Sequence, residues 1–353
     1  MTHSRPSGDG PDHISTGGDP ERDAPAGPTA SFDGGTDVGT DGGLDVVTGA
    51  FSYSGQAIAD ALRRNGRSVR TLTGHPERAP RDTPVQARPL NFDNPAELVT
   101  SMEGATTLYN TYWVRFAHDR TDHDRAVAHS RTLFQAAERA GVRRIVHVSI
   151  TNPSIDSPFP YFRGKAMVEQ SLAESSLSYA VLRPAILFGG DGVLLNNIAW
   201  LLRHLPLFAV GGSGDYRIRG IHIDDLAQLC VDMGRRPGNC TINAVGPESP
   251  TFFELVTSIR DAVGSRSRIV RVPSVLIPGM ARALGLLLRD VLLTPDEFGA
   301  MAAGLADTFG PATGPTALSE WLTEQGPMLG RHYANELDRH FTASRSVSAP
   351  THV

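Results

Sequence analysis

The 353-residue chain holds 33 Lys and Arg against 38 Asp and Glu, 40% hydrophobic residues and two cysteines, enough for one large α/β domain or two modest ones. Cys230 and Cys240 are too few for a disulfide scaffold, no Cys/His cluster has zinc spacing, and the start MTHSRPSGDG lacks the apolar stretch of a secretory signal. These readings predict a cytoplasmic protein in a reducing compartment, with no metal. Of the basic residues only Lys165 is a lysine, an arginine bias typical of a GC-rich bacterial genome.

Residues 1–43 hold eight acids and two arginines and carry −6, while the remainder carries +1. A near-neutral body lacks the concentrated basic face of a nucleic-acid binder. The same 43 residues include ten Gly and five Pro, too little apolar surface to offset ordering entropy, so they read as a disordered acidic tail. An acidic recruitment segment is the functional alternative. The stretch from residue 342 reads as a second disordered tail.

From Leu44 the texture changes. LDVVTG is a short apolar, β-branched run that stops at Gly49, as a buried parallel strand does. In SGQAIADALRRNG the residues Ala57, Ile58, Ala61 and Leu62 share one helix face, and Gly66 closes the helix. SVRTLTG reads as a second strand, PAELVTSMEG as a helix and TTLYNTYW as the next strand. DRAVAHSRTLFQAAERAG predicts a long amphipathic helix, RRIVHVSI a strand, GKAMVEQSLAESS a helix and SYAVLRPAILFG a further strand. This alternation gives βαβ units and a parallel sheet covered on both faces.

After Gly189 the alternation loosens. NNIAWLLRHLPLF reads as a helix, YRIRGIHIDDLAQLCVDM as a strand and helix, and CTINAVG as a return strand to the sheet. The rest suits a smaller, mainly helical lobe. VLIPGMARALGLLLRDVLL approaches spanning length, but it contains Arg282, Arg289 and Asp290, each costing about 2.5 to 3.5 kcal/mol near a bilayer centre. It is expected to pack on the lobe, with interfacial membrane contact as the alternative.

Thr48-Gly49-Ala50-Phe51-Ser52-Tyr53-Ser54-Gly55 follows the first strand directly. A glycine after a buried strand permits a tight turn, and one in the first helical turn permits close helix-to-sheet packing, leaving helix N–H groups for a pyrophosphate. The segment resembles the TGxxGxxG turn of the short-chain dehydrogenase/reductase superfamily, with Ser52 in place of the middle glycine. The resemblance implies an NAD(P) cofactor held by Gly49, Phe51, Ser52, Tyr53, Ser54 and Gly55, with Asn91 and Phe92 beside adenine. Ser52 crowds the closest phosphate approach, although its hydroxyl is itself a potential phosphate donor. No carboxylate ends the second strand to grip the ribose hydroxyls; Thr73-Gly74-His75-Pro76 stands there, which tilts the choice from NAD toward NADP, with His75 and Arg78 as phosphate partners.

Tyr161-Phe162-Arg163-Gly164-Lys165 is a YxxxK element at a helix start, which puts both side chains on one face, one turn apart. Lowering a tyrosine from about 10 to about 8 requires roughly 2.7 kcal/mol. A cation about 4 Å away supplies up to roughly 4 kcal/mol at an effective dielectric of 20, so one lysine suffices. Tyr161 is then a proton donor or acceptor as hydride moves, Lys165 orients the cofactor ribose, and Thr151, or Ser149 two residues earlier, polarises the substrate oxygen.

The Gly49 turn, Tyr161/Lys165, Arg183-Pro184 through Phe188-Gly189, and Ile221 to Ala227 occur in the order seen in extended and atypical short-chain dehydrogenases. That group includes sugar-nucleotide epimerase/dehydratase-like proteins, regulator-type NAD(P)-binding proteins and an accessory subunit of respiratory complex I. The resemblance implies a doubly wound Rossmann-type α/β domain over residues 44–190 and a substrate lobe over 191–341, with the return strand near 240–246. It also implies that Thr111 and Tyr112 approach the cofactor and that Pro184 lies near the nicotinamide carboxamide.

Trp113 and Arg115 are expected to border the cleft between the lobes as substrate contacts, an aromatic wall plus a cation, with core packing the alternative for Trp113. Asn196, Asn197 and Trp200 are candidates for the opposite wall, Arg217 and Arg219 for a phosphate, and His222 reads as structural. Three functions stay open: an NAD(P)-dependent oxidoreductase or epimerase of a small-molecule substrate, a non-catalytic NAD(P)-binding regulator or assembly factor, and a membrane-peripheral, quinone-linked protein.

Overall fold

The computed structural model describes residues 43–115 and 122–335, so the two expected tails lie outside the described residues, Gly43 apart. In chain order the first elements are β1 (Leu44–Thr48), α1 (Tyr53–Arg64), β2 (Ser68–Thr73), β3 (Gln86–Pro89), α2 (Pro95–Met102), β4 (Ala105–Asn110), α3 (His123–Arg139), β5 (Arg144–Val148), α4 (Pro160–Ala173) and β6 (Ser178–Pro184). Then come β7 (Ile186–Phe188), α5 (Val193–His204), β8 (Leu207–Gly211), β9 (Gly220–His222), α6 (Ile223–Arg235), β10 (Cys240–Ala244), α7 (Phe252–Ala262), β11 (Arg268–Val272), α8 (Ile277–Leu288), α9 (Pro295–Ala302) and α10 (Leu318–Gln325).

Seven parallel strands form the main sheet in the order β10-β6-β5-β4-β1-β2-β3. β1 and β5 are buried almost end to end, which the two covering helix layers require. On one face α1 and α6 pack around Ile58, Leu62, Leu226 and Val231; on the other, α2, α3 and α4 close over Leu98, Leu133, Val168 and Leu172. Strand order reverses between β1 and β4, and ligands of such sheets bind in the crevice outside the carboxyl ends at that switch point.

β10 is the expected return strand and pairs with β6. The lobe is mainly helical, as expected, and also carries short strands: β8 pairs with β11, and β9 pairs with β7. The single strand expected at SYAVLRPAILFG is broken at Ala185 into β6 and β7, which belong to different sheets. α8 packs less than expected: only Ile277 and Gly285 are buried, while Leu286 and Leu287 are 75% and 78% exposed. Among the described residues no helix is long and apolar enough to cross a membrane.

Candidate active site

A cleft of about 1840 Å³ begins at the β1–α1 turn, passes the ends of β4 and β5, and continues between α5, β8 and α8. Gly49 takes a φ of +65° to make the turn, a conformation that disfavours other residues. At Gly55 a Cβ would overlap the Gly49 carbonyl oxygen, so the helix lies against the strand end only because that position is glycine. Ser52 is the N-cap of α1, yet its Oγ donates 2.6 Å to the Gly49 carbonyl oxygen and caps no helix N–H. The Ser52 hydroxyl, a potential phosphate donor, is thus engaged within the turn itself. With no acidic residue in its first turn, the N-terminus of α1 remains suited to an anion.

Gly49, Phe51, Ser52, Tyr53, Ser54, Thr111 and Tyr112 all line the cleft. The Thr111 hydroxyl donates 2.6 Å to the Thr48 carbonyl oxygen and the Thr48 hydroxyl accepts from the Thr111 N–H at 2.7 Å, locking the ends of β1 and β4 together. The Tyr53 hydroxyl donates 2.7 Å to the Gly189 carbonyl oxygen, pinning the segment after β7 over the turn. The adenine side is arranged differently from expectation. Asn91 Nδ2 donates to Glu97, Phe92 stacks on His129 at 4.0 Å, and exposed His75 pairs with Glu77. None of the three lines the cleft; Thr73, Gly74 and Leu90 do so instead. Pro184 sits behind its wall and accepts the Thr151 N–H.

Tyr161 and Lys165 lie on α4, but the expected ammonium–phenol contact is not made. The Lys165 ammonium stands 4.7 Å from the centroid of the Trp113 indole and donates 2.9 Å to the Val148 carbonyl oxygen. Tyr161 meets the same indole edge-on at 5.7 Å. Gly164 makes this possible, because a Cβ there would come within 2.9 Å of the indole. Burial pushes the Lys165 amine down to about 7, with Glu169 opposing. The Tyr161 phenol is instead raised, first by desolvation and then by the Glu297 carboxylate, with Arg115 opposing. One of its two charged neighbours, Glu297, is therefore in the lobe, which sequence spacing alone does not reveal.

Neither expected polarising hydroxyl is free in the cleft. Thr151 lines it, but its Oγ1 donates 2.9 Å to the Leu305 carbonyl oxygen. Ser149 is buried outside the lining, and its hydroxyl has no partner. Sequence reading passed over His123, whose ring stacks 5.8 Å from Trp113 and meets Tyr161 edge-on at 5.7 Å; burial lowers its pKa. Its position directly after the α3 N-cap Asp122 is the only local signal. The Tyr112 hydroxyl is engaged by His129 at 2.8 Å, and burial raises it to about 12.

Arg115, after β4, reaches across to Glu297 of α9 in the lobe at 2.7 Å, so its cation is neutralised at the cleft rim. Asn197 lines the cleft, but its amide holds both the N–H and the carbonyl of Ala334. Asn196 likewise binds Gly330 and His332, and Trp200 stacks on His204. Arg219 is not a phosphate ligand: it is buried and donates to the carbonyls of Gly246, Thr308 and Gly310. Arg217 donates to the Ser249 carbonyl. His222 caps α6 and packs on Phe188, a structural role. No group of three or more His, Cys, Asp or Glu among the described residues is placed to hold a metal.

The profile of the NAD(P)H-binding family matches residues 49–198. The chain is 25% identical over 252 residues to the mitochondrial NADH dehydrogenase (ubiquinone) 1 alpha subcomplex subunit 9 of Arabidopsis thaliana, covering 67% of this chain and 62% of that protein. It thus spans less than two thirds of that relative's length. Among solved structures, Citrobacter sp. triphenylmethane reductase complexed with NADP(H) superposes with a TM-score of 0.63 at 17% identity, covering 80% of this chain and 99% of that one. A nucleoside-diphosphate-sugar epimerase from Staphylococcus aureus superposes with a TM-score of 0.64 at 20% identity, covering 80% and 99%. Residues 49–198 thus match the NAD(P)H-binding family, and the chain shares the fold of the triphenylmethane reductase and of the nucleoside-diphosphate-sugar epimerase.

Proposed function

We propose that the protein is an NADPH-dependent reductase of a carbonyl carbon, with Tyr161 as the proton donor. The observation that carries this reading is the continuity of the cleft, which joins the uncapped N-terminus of α1 to the Tyr161 ring by way of Thr111. The first turn of α1 would hold the pyrophosphate, with Gly49 and Gly55 keeping the approach open. Thr73, Gly74 and Leu90 would border the adenosine, where the missing carboxylate favours a 2′-phosphate. When bound, the dihydronicotinamide supplies the hydride.

Desolvation and Glu297 keep the Tyr161 phenol protonated at neutral pH, so its O–H is available to donate to the carbonyl oxygen as that oxygen gains charge. Donation leaves a phenolate, which takes its proton back from solvent through the cleft before the next turnover. For Lys165 to reach the phenol or a ribose, its ammonium would have to leave the Trp113 indole and the Val148 carbonyl that it contacts. Sugar-nucleotide epimerisation is the weaker fit, since Arg217 and Arg219 are engaged by backbone carbonyls rather than presented to a diphosphate.

A non-catalytic, dinucleotide-binding role is the second reading, favoured by the indole packed against both Tyr161 and Lys165. The two separate in an assay of NADPH consumption over a panel of ketones and aldehydes, run with wild type and Tyr161→Phe. The reductase reading expects turnover that falls at least about 100-fold in the variant. Undiminished turnover removes Tyr161 from its role, and tight NADPH binding without turnover of any compound supports the second reading.

A further inference from the structure

Beyond Tyr161 the cleft does not end. It continues between α5, β8 and α8, and every described lining residue from 194 to 211 and from 277 to 293 is uncharged. Asn197 is the polar exception, and its amide is spent on Ala334. Leu194 and Leu201 lie two turns apart on α5, about 10 Å along the axis, roughly the reach of an octyl chain. Leu205 and Ala209 continue this wall, facing Met280 and Leu284 of α8. The volume of about 1840 Å³ is about twice the upper end for a single small-molecule pocket, roughly 1,000 Å³. It accommodates a dinucleotide and a second sizeable molecule together.

We propose that the substrate carries its carbonyl on a long alkyl or isoprenyl chain, with the carbonyl head beside Tyr161 and the chain lying between α5, β8 and α8. This deepens the reductase reading and rests on it for the identity of the head group; the chain site itself stands on the cleft lining. An uncharged branch offers no charged partner to a phosphate or a carboxylate, and the unpartnered Tyr216 hydroxyl is its one polar group available to a ligand among the described residues. The branch does offer continuous burial to methylenes, each of which tightens binding by about three- to fourfold while room remains. Met280 is 47% exposed at the outer end, so the chain enters past α8.

The test is displacement of 1-anilinonaphthalene-8-sulfonate from the full-length protein by 2-butanone, 2-heptanone and 2-undecanone, read by fluorescence at saturating NADPH. In wild type the half-displacing concentration is expected to fall at least about tenfold from 2-heptanone to 2-undecanone. Leu284→Glu and Met280→Glu are expected to flatten the series; Met280 is exposed enough for its variant to fold, and NADPH affinity checks both. Leu286→Ser, on the face of α8 opposite Met280 and Leu284 and 75% exposed, keeps the series intact. A flat series in wild type, or one that responds to Leu286→Ser and not to the two lining variants, overturns the proposal. Failure of NADPH to bind, with the chain-length series intact, overturns the reductase reading instead.

Discussion

The Lys165 ammonium sits 4.7 Å from the centre of the Trp113 ring, 3% exposed, and its one hydrogen bond runs to the Val148 carbonyl oxygen. A cation so placed is stabilised by the face of the indole, yet desolvation outweighs that and the amine falls to about 7. The pairing explains why the phenol one helical turn away is not lowered: the ammonium is directed at the indole and the backbone, and the groups acting on Tyr161 are Glu297 and Arg115.

This placement makes stability depend on pH in a defined direction. With a folded value of about 7 against 10.5 for the free side chain, the unfolded chain holds more protons between those limits. Stability therefore increases with pH across that window, by up to about 1.4 kcal/mol per unit, and the full cost of burying the charge is felt below it. Urea unfolding of wild type and Lys165→Met at about pH 6.5 and about pH 9 is expected to show wild type gaining roughly 2 kcal/mol on the variant at the higher pH. A difference of opposite sign would contradict the buried, depressed amine.

Gly55→Ala places a methyl group on the Gly49 carbonyl oxygen, so α1 has to move off the end of β1. A loss of about 1 to 3 kcal/mol in stability is expected, together with at least about tenfold weaker NADPH binding, since the helix N-terminus leaves its position. Fluorescence titration of the folded variant checks the second effect separately from the first.

Arg219→Met leaves the carbonyls of Gly246, Thr308 and Gly310 without their shared donor. Of the three bonds only the one to Gly246 is buried; a buried acceptor stripped of its partner costs about 1 to 3 kcal/mol, so a loss of about 2 kcal/mol in urea unfolding is expected. A variant with wild-type stability would return Arg219 to the pool of free cations and reopen the phosphate-binding option.

The sheet was legible because its strands are short apolar runs separated by amphipathic helices, and the glycines at 49 and 55 announced the turn. β3 was not: Gln86–Pro89 is a half-exposed edge strand ending in proline, with no alternation to read. β8 was absorbed into a helix for a related reason, since Leu207 and Phe208 continue the apolar run of α5 and only its pairing with β11, itself without a distinct sequence signal, turns them into a strand. At the site, spacing placed Tyr161 and Lys165 on one helix. It carried no information on Trp113, which arrives from the end of β4, or on Glu297, more than a hundred residues later. Likewise Arg219 gave no sequence sign of being buried, because its three acceptors belong to backbone far along the chain.

The most direct measurement is a calorimetric titration of the full-length protein with NADPH, repeated with NADH and with Gly55→Ala. Saturable one-to-one binding, tighter for NADPH than for NADH and weakened at least about tenfold by the substitution, is the predicted result. No saturable binding of either dinucleotide, or binding that ignores the loss of Gly55, would contradict the assignment of the β1–α1 turn as the pyrophosphate site.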